Sequence, residues 1–334
     1  MLIVESYTVA VILLFITMLC WGSWANTQKM ATQTWPFQLF YWDYTLGTVL
    51  LSFLFGITLG NTGEEGRSFF EDLGQASMGA LGSAFVGGVV FNIANLLLVA
   101  AIDIAGMAVA FPVGIGLALV LGVLVNYVAV PVGDPLLLFG GVILVTIAIV
   151  LDAVAYKRKS QGMAISAKGL WLSIIAGVLM GFFFRFVAAS VATDFTHPQP
   201  GLMTPYSAVF VFSIGIFLSN FLWNTFFMYK PLKGDKVTYG EYFSKGSPRL
   251  HLIGILGGII WCIGMSFSMI ASEQAGFAIS YGLGQGATMI AAAWGVFIWK
   301  EFAQAPKGTN KLIYAMFACF FFGLACIIMA RLMY

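Results

Sequence analysis

Charge is what this 334-residue sequence has least of. Lysine, arginine, aspartate and glutamate make up only 9% of it, against about 25% in a soluble globular domain. So few charges cannot cover a water-facing surface, and a 60% hydrophobic share excludes a disordered chain. The net charge of +2 is too small and too scattered to imply a nucleic-acid partner. Cysteine is scarce as well. Cys20, Cys262, Cys319 and Cys326 all lie in apolar runs and read as small interior residues, not as a disulfide framework or a zinc site. Two histidines, His197 and His251, lie outside the main apolar runs, so neither a histidine metal site nor an intramembrane nucleophile–base pair is expected. No metal and no cofactor are therefore implied. Phosphate-binding glycine loops, GxSxG, HExxH and CxxC are all absent. The longest polar gaps, Asn61–Ala76, Tyr156–Gly169 and Tyr229–His251, are too short to fold as a soluble catalytic module.

Long apolar runs are abundant. A spanning helix needs about 20 mostly apolar residues, and ten such stretches can be placed. They run roughly over 6–25, 37–59, 78–101, 105–129, 136–155, 170–192, 205–228, 252–271, 275–298 and 312–332. Lipid offers no partner to backbone polar groups, and the ten-residue alternation of a barrel is missing, so the spans must be helical. The N-terminus carries Glu5 and no basic stretch, so the first apolar run is expected to be the first span and not a cleaved signal.

The chain also repeats itself. Shifted by 170 residues, the segment from Gly87 falls on the segment from Gly257, with nine of thirty positions identical. Gly87-Gly88 meets Gly257-Gly258, Phe91 meets Trp261, Asp103 meets Glu273, Ala105-Gly106 meets Ala275-Gly276, and Gly114 and Gly116 meet Gly284 and Gly286. The expected fold is thus an all-α integral membrane protein of ten transmembrane helices in a 5+5 inverted repeat. Residues 1–155 form the first half, 156–169 a short basic cytoplasmic linker, and 170–334 the second half. An odd number of spans per half inverts the second half, a hallmark of secondary transporters with alternating access.

Thirteen of the sixteen basic residues fall in the loops after the odd-numbered spans. This bias puts the Lys157–Lys168 loop in the cytoplasm and both termini outside, for a multi-pass protein of the cytoplasmic or plasma membrane.

Several short motifs, in this order, resemble the ureide permeases. They are Glu5-Ser6, Gly22-Ser23-Trp24, Asp43-Tyr44, Gly87-Gly88-Val89-Val90 with Asn95-Leu96, and Asn126-Tyr127. In the second half they are Pro205-Tyr206-Ser207-Ala208-Val209-Phe210, Tyr229-Lys230-Pro231, Ala275-Gly276, and Trp294-Gly295-Val296 followed by Glu301. That family sits beside bacterial glucose/ribose uptake proteins in the drug/metabolite transporter superfamily. The resemblance implies a 5+5 fold and proton-linked uptake of small neutral solutes, allantoin and related purine products in plants. The sequence lacks the plant proteins' long central loop with its glycine motif; the short loop looks prokaryotic and leaves the solute open among sugar, nucleoside and ureide.

Spans five and ten are nearly devoid of polar groups and should face lipid or a partner subunit, which allows a homodimer. The site should then lie in the other spans. Pro112 and Gly114 in span four, and Tyr281, Gly284 and Gln285 in span nine, interrupt helices at matching places, the pattern of a midplane site. Packing through small residues is the alternative. Trp21, Ser23, Trp24, Asn92 and Asn95 add aromatic platforms and amides suited to a neutral solute, against an interfacial belt or interhelical hydrogen bonds. Asp43, Arg185 and Glu273 are the candidates for coupling to a proton, or to sodium. Asp43 sits about two turns into span two and is preferred, with Arg185 as a partner it could approach. Asp103 and Glu273 fall where the fourth and ninth helices are expected to begin, where capping is their ordinary role. A drug or metabolite exporter is the competing reading in the same fold. An intramembrane enzyme or a channel fits less well.

A cysteine placed in the Lys157–Lys168 loop should resist an impermeant thiol reagent in intact cells, while one added after Tyr334 should react. The opposite labelling would reverse the orientation.

Overall fold

The computed structural model describes residues 1–31, 35–159 and 166–334. Among them the regular structure is helical, apart from a single bridge between Val191 and Met203. The first half contains α1 (Tyr7–Ser23), α2 (Ala25–Ala31), α3 (Phe37–Ile57), α4 (Phe69–Gln75), α5 (Met78–Ala105), α6 (Met107–Ala110), α7 (Gly116–Ala129) and α8 (Pro135–Lys159). The second half contains α9 (Ala167–Ala188), α10 (Pro205–Tyr229), α11 (Tyr239–Lys245), α12 (Pro248–Ala275), α13 (Phe277–Gly284), α14 (Ala287–Ala293) and α15 (Thr309–Leu332). Among the described residues, nine helical stretches are long and apolar enough to cross a membrane.

The expected ninth span, 275–298, is not one continuous helix. It consists of α13, a break at Gln285-Gly286, α14 and a π-helical turn over Trp294–Ile298. Gly282, Gly284 and Gly286 crowd low-propensity residues into one turn. There the Gly286 N–H donates to the Leu283 carbonyl in a tightened bond of 2.8 Å. The fourth span is interrupted too, with a π-helical turn over Phe111–Ile115 between α6 and α7. Pro112 has no N–H to give, so the regular ladder cannot pass through it.

Asp103 and Glu273 do not start helices. They occupy the last turns of α5 and α12, which end at Ala105 and Ala275. Gly106 and Gly276 then turn the chain at φ +77° and +80°, a conformation open to glycine. Helix propagation through Asp103 and Glu273 costs little, whereas the left-handed turn can occur only at the glycine.

The chain forms two compact units. The first comprises Met1–Asn92 and Phe183–Gln274, the second Ile93–Phe182 and Ala275–Tyr334, so each draws on both halves of the sequence.

In the first unit, four glycines permit backbone-to-backbone approach. A side chain at Gly47 would strike the carbonyl of Ile255, and one at Gly215 the carbonyl of Phe85. One at Gly258 would strike the carbonyl of Tyr44, and one at Gly88 that of Phe212. The contacts thus come in equivalent pairs, α12 on α3 and α5 on α10. The polar bonds beside them match as well: Asn92 donates to the Ile216 carbonyl at 3.1 Å, and Cys262 to the Thr48 carbonyl at 3.4 Å.

Two seven-residue helices, α4 and α11, occupy positions 170 residues apart, each followed by a serine that caps the next long helix. Ser77 accepts from the Ala80 N–H and Ser247 from the Leu250 N–H. α4 lies at the C-terminal end of α3, where Phe69 packs against Gly56, and α11 lies at its N-terminal end, where Tyr242 reaches Asp43.

In the second unit, α8 and α15 pack on each other. Gly141 meets the Gly323 carbonyl and Ile327, while Gly323 meets the Gly141 carbonyl and Val145. Their bulky residues, among them Leu136, Ile143, Tyr314, Phe321 and Phe322, are exposed. These helices therefore spend their small-residue faces on one another and keep their large apolar faces outward.

Gly88→Val and Gly258→Val should each destabilise the protein by about 1–3 kcal/mol, read as a lower Tm in detergent. Gly140→Val, which has open space around it, should leave Tm unchanged. Equal effects at all three positions would refute the close-approach reading.

Candidate functional site

Trp261, on α12 of the first unit, is the centre of an aromatic cluster. Phe91 lies 4.4 Å from it between ring centroids, and Phe212 and Trp21 each lie 5.9 Å away, close to parallel. Tyr44 is 6.5 Å away and packs against Trp24 at 4.9 Å. The Trp21 indole N–H donates to the Trp261 carbonyl at 3.1 Å, which fixes that ring against α12. Five helices, α1 (with Trp24 at its C-terminal cap), α3, α5, α10 and α12, contribute to one wall of flat apolar faces. Trp21 and Trp24 keep part of their surface accessible, whereas Trp261, Phe91 and Phe212 are buried.

Polar capacity is left unused beside this wall. Asn92 follows Phe91 on α5, and its amide N–H groups go to the Ile216 carbonyl and the Ser219 hydroxyl, the latter at 2.8 Å. Its oxygen is buried with no partner among the described residues, and so is the Tyr44 hydroxyl. A lone buried polar atom is costly. A solute carrying N–H donors and a flat face would satisfy both features.

Asp43 belongs to a second cluster of the same unit. It is 1% exposed. The Tyr242 hydroxyl donates to its Oδ1 at 2.5 Å, and His251 Nδ1 lies 2.9 and 3.1 Å from its two oxygens. Trp35 closes the cluster, 5.4 Å from the His251 ring and 5.8 Å from Tyr242. Burial, and then the hydrogen bond to Asp43 and its charge, push the Tyr242 phenol well above its ordinary range, so it stays a donor. The partners of Asp43 are therefore Tyr242 and His251, not Arg185. His251, the fourth residue of α12, reaches inward, a role its place at the edge of an apolar run concealed.

The other charged candidates of this unit sit apart from that cluster. Glu273 accepts from the Phe195 N–H at 2.6 Å, which ties the end of α12 to the segment after α9. Its other oxygen is buried without a partner among the described residues, as is Nη1 of Arg185 on α9. Near α4, Asp72 is fully buried, accepts from the Thr204 N–H at 2.7 Å and pairs with Arg67 at 3.2 Å. Burial raises its pKa, opposed by the Thr204 bond and the Arg67 charge. Ser23, on the last turn of α1, is half-buried.

Asn95, Pro112, Gly114, Tyr281, Gly284 and Gln285 belong to the second unit. Tyr281 is buried, and its hydroxyl donates to the carbonyls of Met180, at 3.1 Å, and Ala118. Its ring fills the place a side chain at Gly122 would occupy. The Gly114 backbone packs against Gly177, Asn95 and Gly284 are buried, and Pro112 and Gln285 are half-buried at the two interruptions. Tyr281 and Gly114 thus have definite packing roles.

The profile of the ureide permeases matches residues 40–165 and 159–331. The chain belongs to the ureide permease family. Ureide permease 1 of Arabidopsis thaliana is 22% identical over 386 aligned residues, covering 97% of each chain. Ureide permease 4 of the same plant is 23% identical and covers 96% of each. Transmembrane protein 144 homolog A of Dictyostelium discoideum is 25% identical over 43% of this chain and 34% of its own. A solved crystal structure at 15% identity superposes with a TM-score of 0.59 over 98% of this chain and 99% of its own, a likeness of fold.

Within this ureide permease family member, sequence reasoning passed over Trp261, Tyr242 and His251. The 170-residue shift had already paired Trp261 with Phe91, so the signal was present for Trp261. Nothing in the spacing linked 242 and 251 to 43. Trp261→Leu should raise the KM for the transported solute at least tenfold in a protein that still folds. Asn92→Leu should do the same, at a stability cost of about 0.6–2 kcal/mol for the interhelical bonds. Unchanged KM in both would place solute binding elsewhere.

Proposed function

We propose that this protein is a secondary transporter that moves a small, neutral, flat solute rich in amide groups, a ureide or a related compound, by alternating access with linked proton uptake. The observation that carries the reading is the contact between Phe91 and Trp261. Positions 91 and 261 correspond under the 170-residue repeat and their rings lie 4.4 Å apart. Residues exchanged by a two-fold relation touch only near its axis, and transporters of inverted repeats bind their solutes there. The paired glycine contacts of α3 with α12 and of α10 with α5 support the same inverted relation, with the interrupted span four answering the interrupted span nine in a ten-span, 5+5 arrangement. The names of the Arabidopsis relatives support a ureide as the solute. Asp43, buried beside a histidine, is the group we assign to the proton. The outward apolar faces of α8 and α15 fit lipid or a second copy.

Purified protein in liposomes should accumulate radiolabelled allantoin when the external pH is lower, and glucose, ribose and nucleosides should be taken up less well. Preferred uptake of a sugar would overturn the ureide assignment. Asp43→Asn, permanently neutral, should lose pH-driven accumulation; unchanged accumulation would make Asp43 structural.

A further inference from the structure

We propose that α11 is a gate over the lysine-rich end of the first unit, held shut by Asp43 through Tyr242 and His251 and released when Asp43 takes up a proton. α11 has a counterpart in α4. The two helices occupy equivalent places in the repeat and lie at opposite ends of α3, yet they are seated differently. α4 buries Phe69 and Asp72. α11 buries no residue at all. Its capping box between Thr238 and Glu241, and the Glu241–Lys245 pair, stabilise the helix itself and not its docking. A seven-residue helix with no fully buried side chain has little to keep it in place.

Its attachment runs through two half-buried tyrosines. Tyr242 donates to Asp43, the hydroxyls of Tyr239 and Thr225 lie 2.5 Å apart, the Tyr242 ring leans on His251 at 4.8 Å and on Trp35, and the Tyr239 ring lies 5.6 Å from Trp42. Gly246, just after the helix, has no room for a side chain beside the His251 ring, so the link between α11 and α12 is fitted to that imidazole. The titratable groups facing the Asp43 carboxylate are Tyr242 from α11 and His251 from α12; the backbone of Gly254 covers its remaining side. Lys245 is engaged by Glu241, and Arg249 is exposed.

An ionised carboxylate accepts charge-assisted bonds about twice as strong as neutral ones. Tyr242 and His251 draw on the same charge. A proton on Asp43 neutralises it and weakens both bonds together, and α11 has no fully buried side chain to hold it afterwards. The coupling group and the gate are then one device, which is how a lid is tied to the state of a site. The latch rests on the transporter reading only for its place in the cycle, and its test needs no solute.

Amide hydrogen exchange of the purified protein in nanodiscs reads the docking of α11 directly. Asp43→Asn and Tyr242→Phe should each raise exchange in residues 239–245 at least tenfold, and the double variant no further than either alone. Exchange in residues 69–75 should stay as in the unaltered protein. Corrected for intrinsic rate, exchange in 239–245 should rise on going from pH 8 to pH 5, and Asp43→Asn should abolish that rise. Unchanged exchange in Asp43→Asn, additive effects in the double variant, or a pH response that survives Asp43→Asn would each overturn the latch. Tyr242→Phe leaves Asp43 and His251 in place, so its response stands even if Asp43→Asn fails to fold. Absent ureide uptake with an intact exchange response would count against the solute assignment alone.

Discussion

The close approach of backbones at four glycines is the constraint on which the first unit depends. Helices already in lipid gain nothing from the hydrophobic effect by touching one another, so association rests on contact and on hydrogen bonds. Gly47, Gly88, Gly215 and Gly258 let carbonyls of neighbouring helices come in where a side chain would stand. That approach brings Asn92 within reach of Ile216 and Cys262 within reach of Thr48. It also sets the depth at which Phe91, Phe212 and Trp261 meet. The aromatic cluster is thus a consequence of residues that have no side chains.

The polar groups of the same unit follow a different rule. Away from water each donor or acceptor must find a partner in the protein, and most do. Thr17, Thr45 and Ser213 hand their hydroxyls to carbonyls of neighbouring turns. Among the described residues the exceptions include the amide oxygens of Asn92, Asn220 and Asn224, the Tyr44 hydroxyl and one oxygen of Glu273. Asp43 with His251 and Tyr242 shows how a charge becomes tolerable in such surroundings, through several bonds to one group. It also shows why such a charge can act as a switch: its partners depend on its ionisation.

The two short helices illustrate how a repeat can diverge in function while keeping its geometry. The pattern of a hydroxyl residue, a glutamate three places on and a capping serine survives in both, at Ser68, Glu71 and Ser77 and at Thr238, Glu241 and Ser247. Among the positions that differ is the fourth of the helix, Asp72 in one and Tyr242 in the other. Asp72 carries its own carboxylate into the protein and meets an arginine and a backbone N–H there. Tyr242 brings only a donor, and must find the carboxylate on α3. The first arrangement is anchored by burial, the second by a bond that a proton can weaken.

By itself the sequence determined the class of molecule, the approximate position of most spans and the two places where helices are interrupted. Each of these follows from local composition: lipid demands apolar helices of a minimum length, and proline and clustered glycines disturb a helix wherever they stand. The sequence also marked Asp43 as unusual, since a carboxylate among apolar residues needs a reason. Only the tertiary structure decided which groups meet. The helix ends moved from Asp103 and Glu273 to Gly106 and Gly276, because a left-handed turn needs glycine and a carboxylate does not end a helix. Trp261 became the centre of a cluster through the rotation of α12, and His251, at the edge of an apolar run, turned inward to Asp43. Such pairings join residues about two hundred positions apart. They depend on how helices cross and rotate, which backbone contact at glycine sets and which no local pattern of residues records.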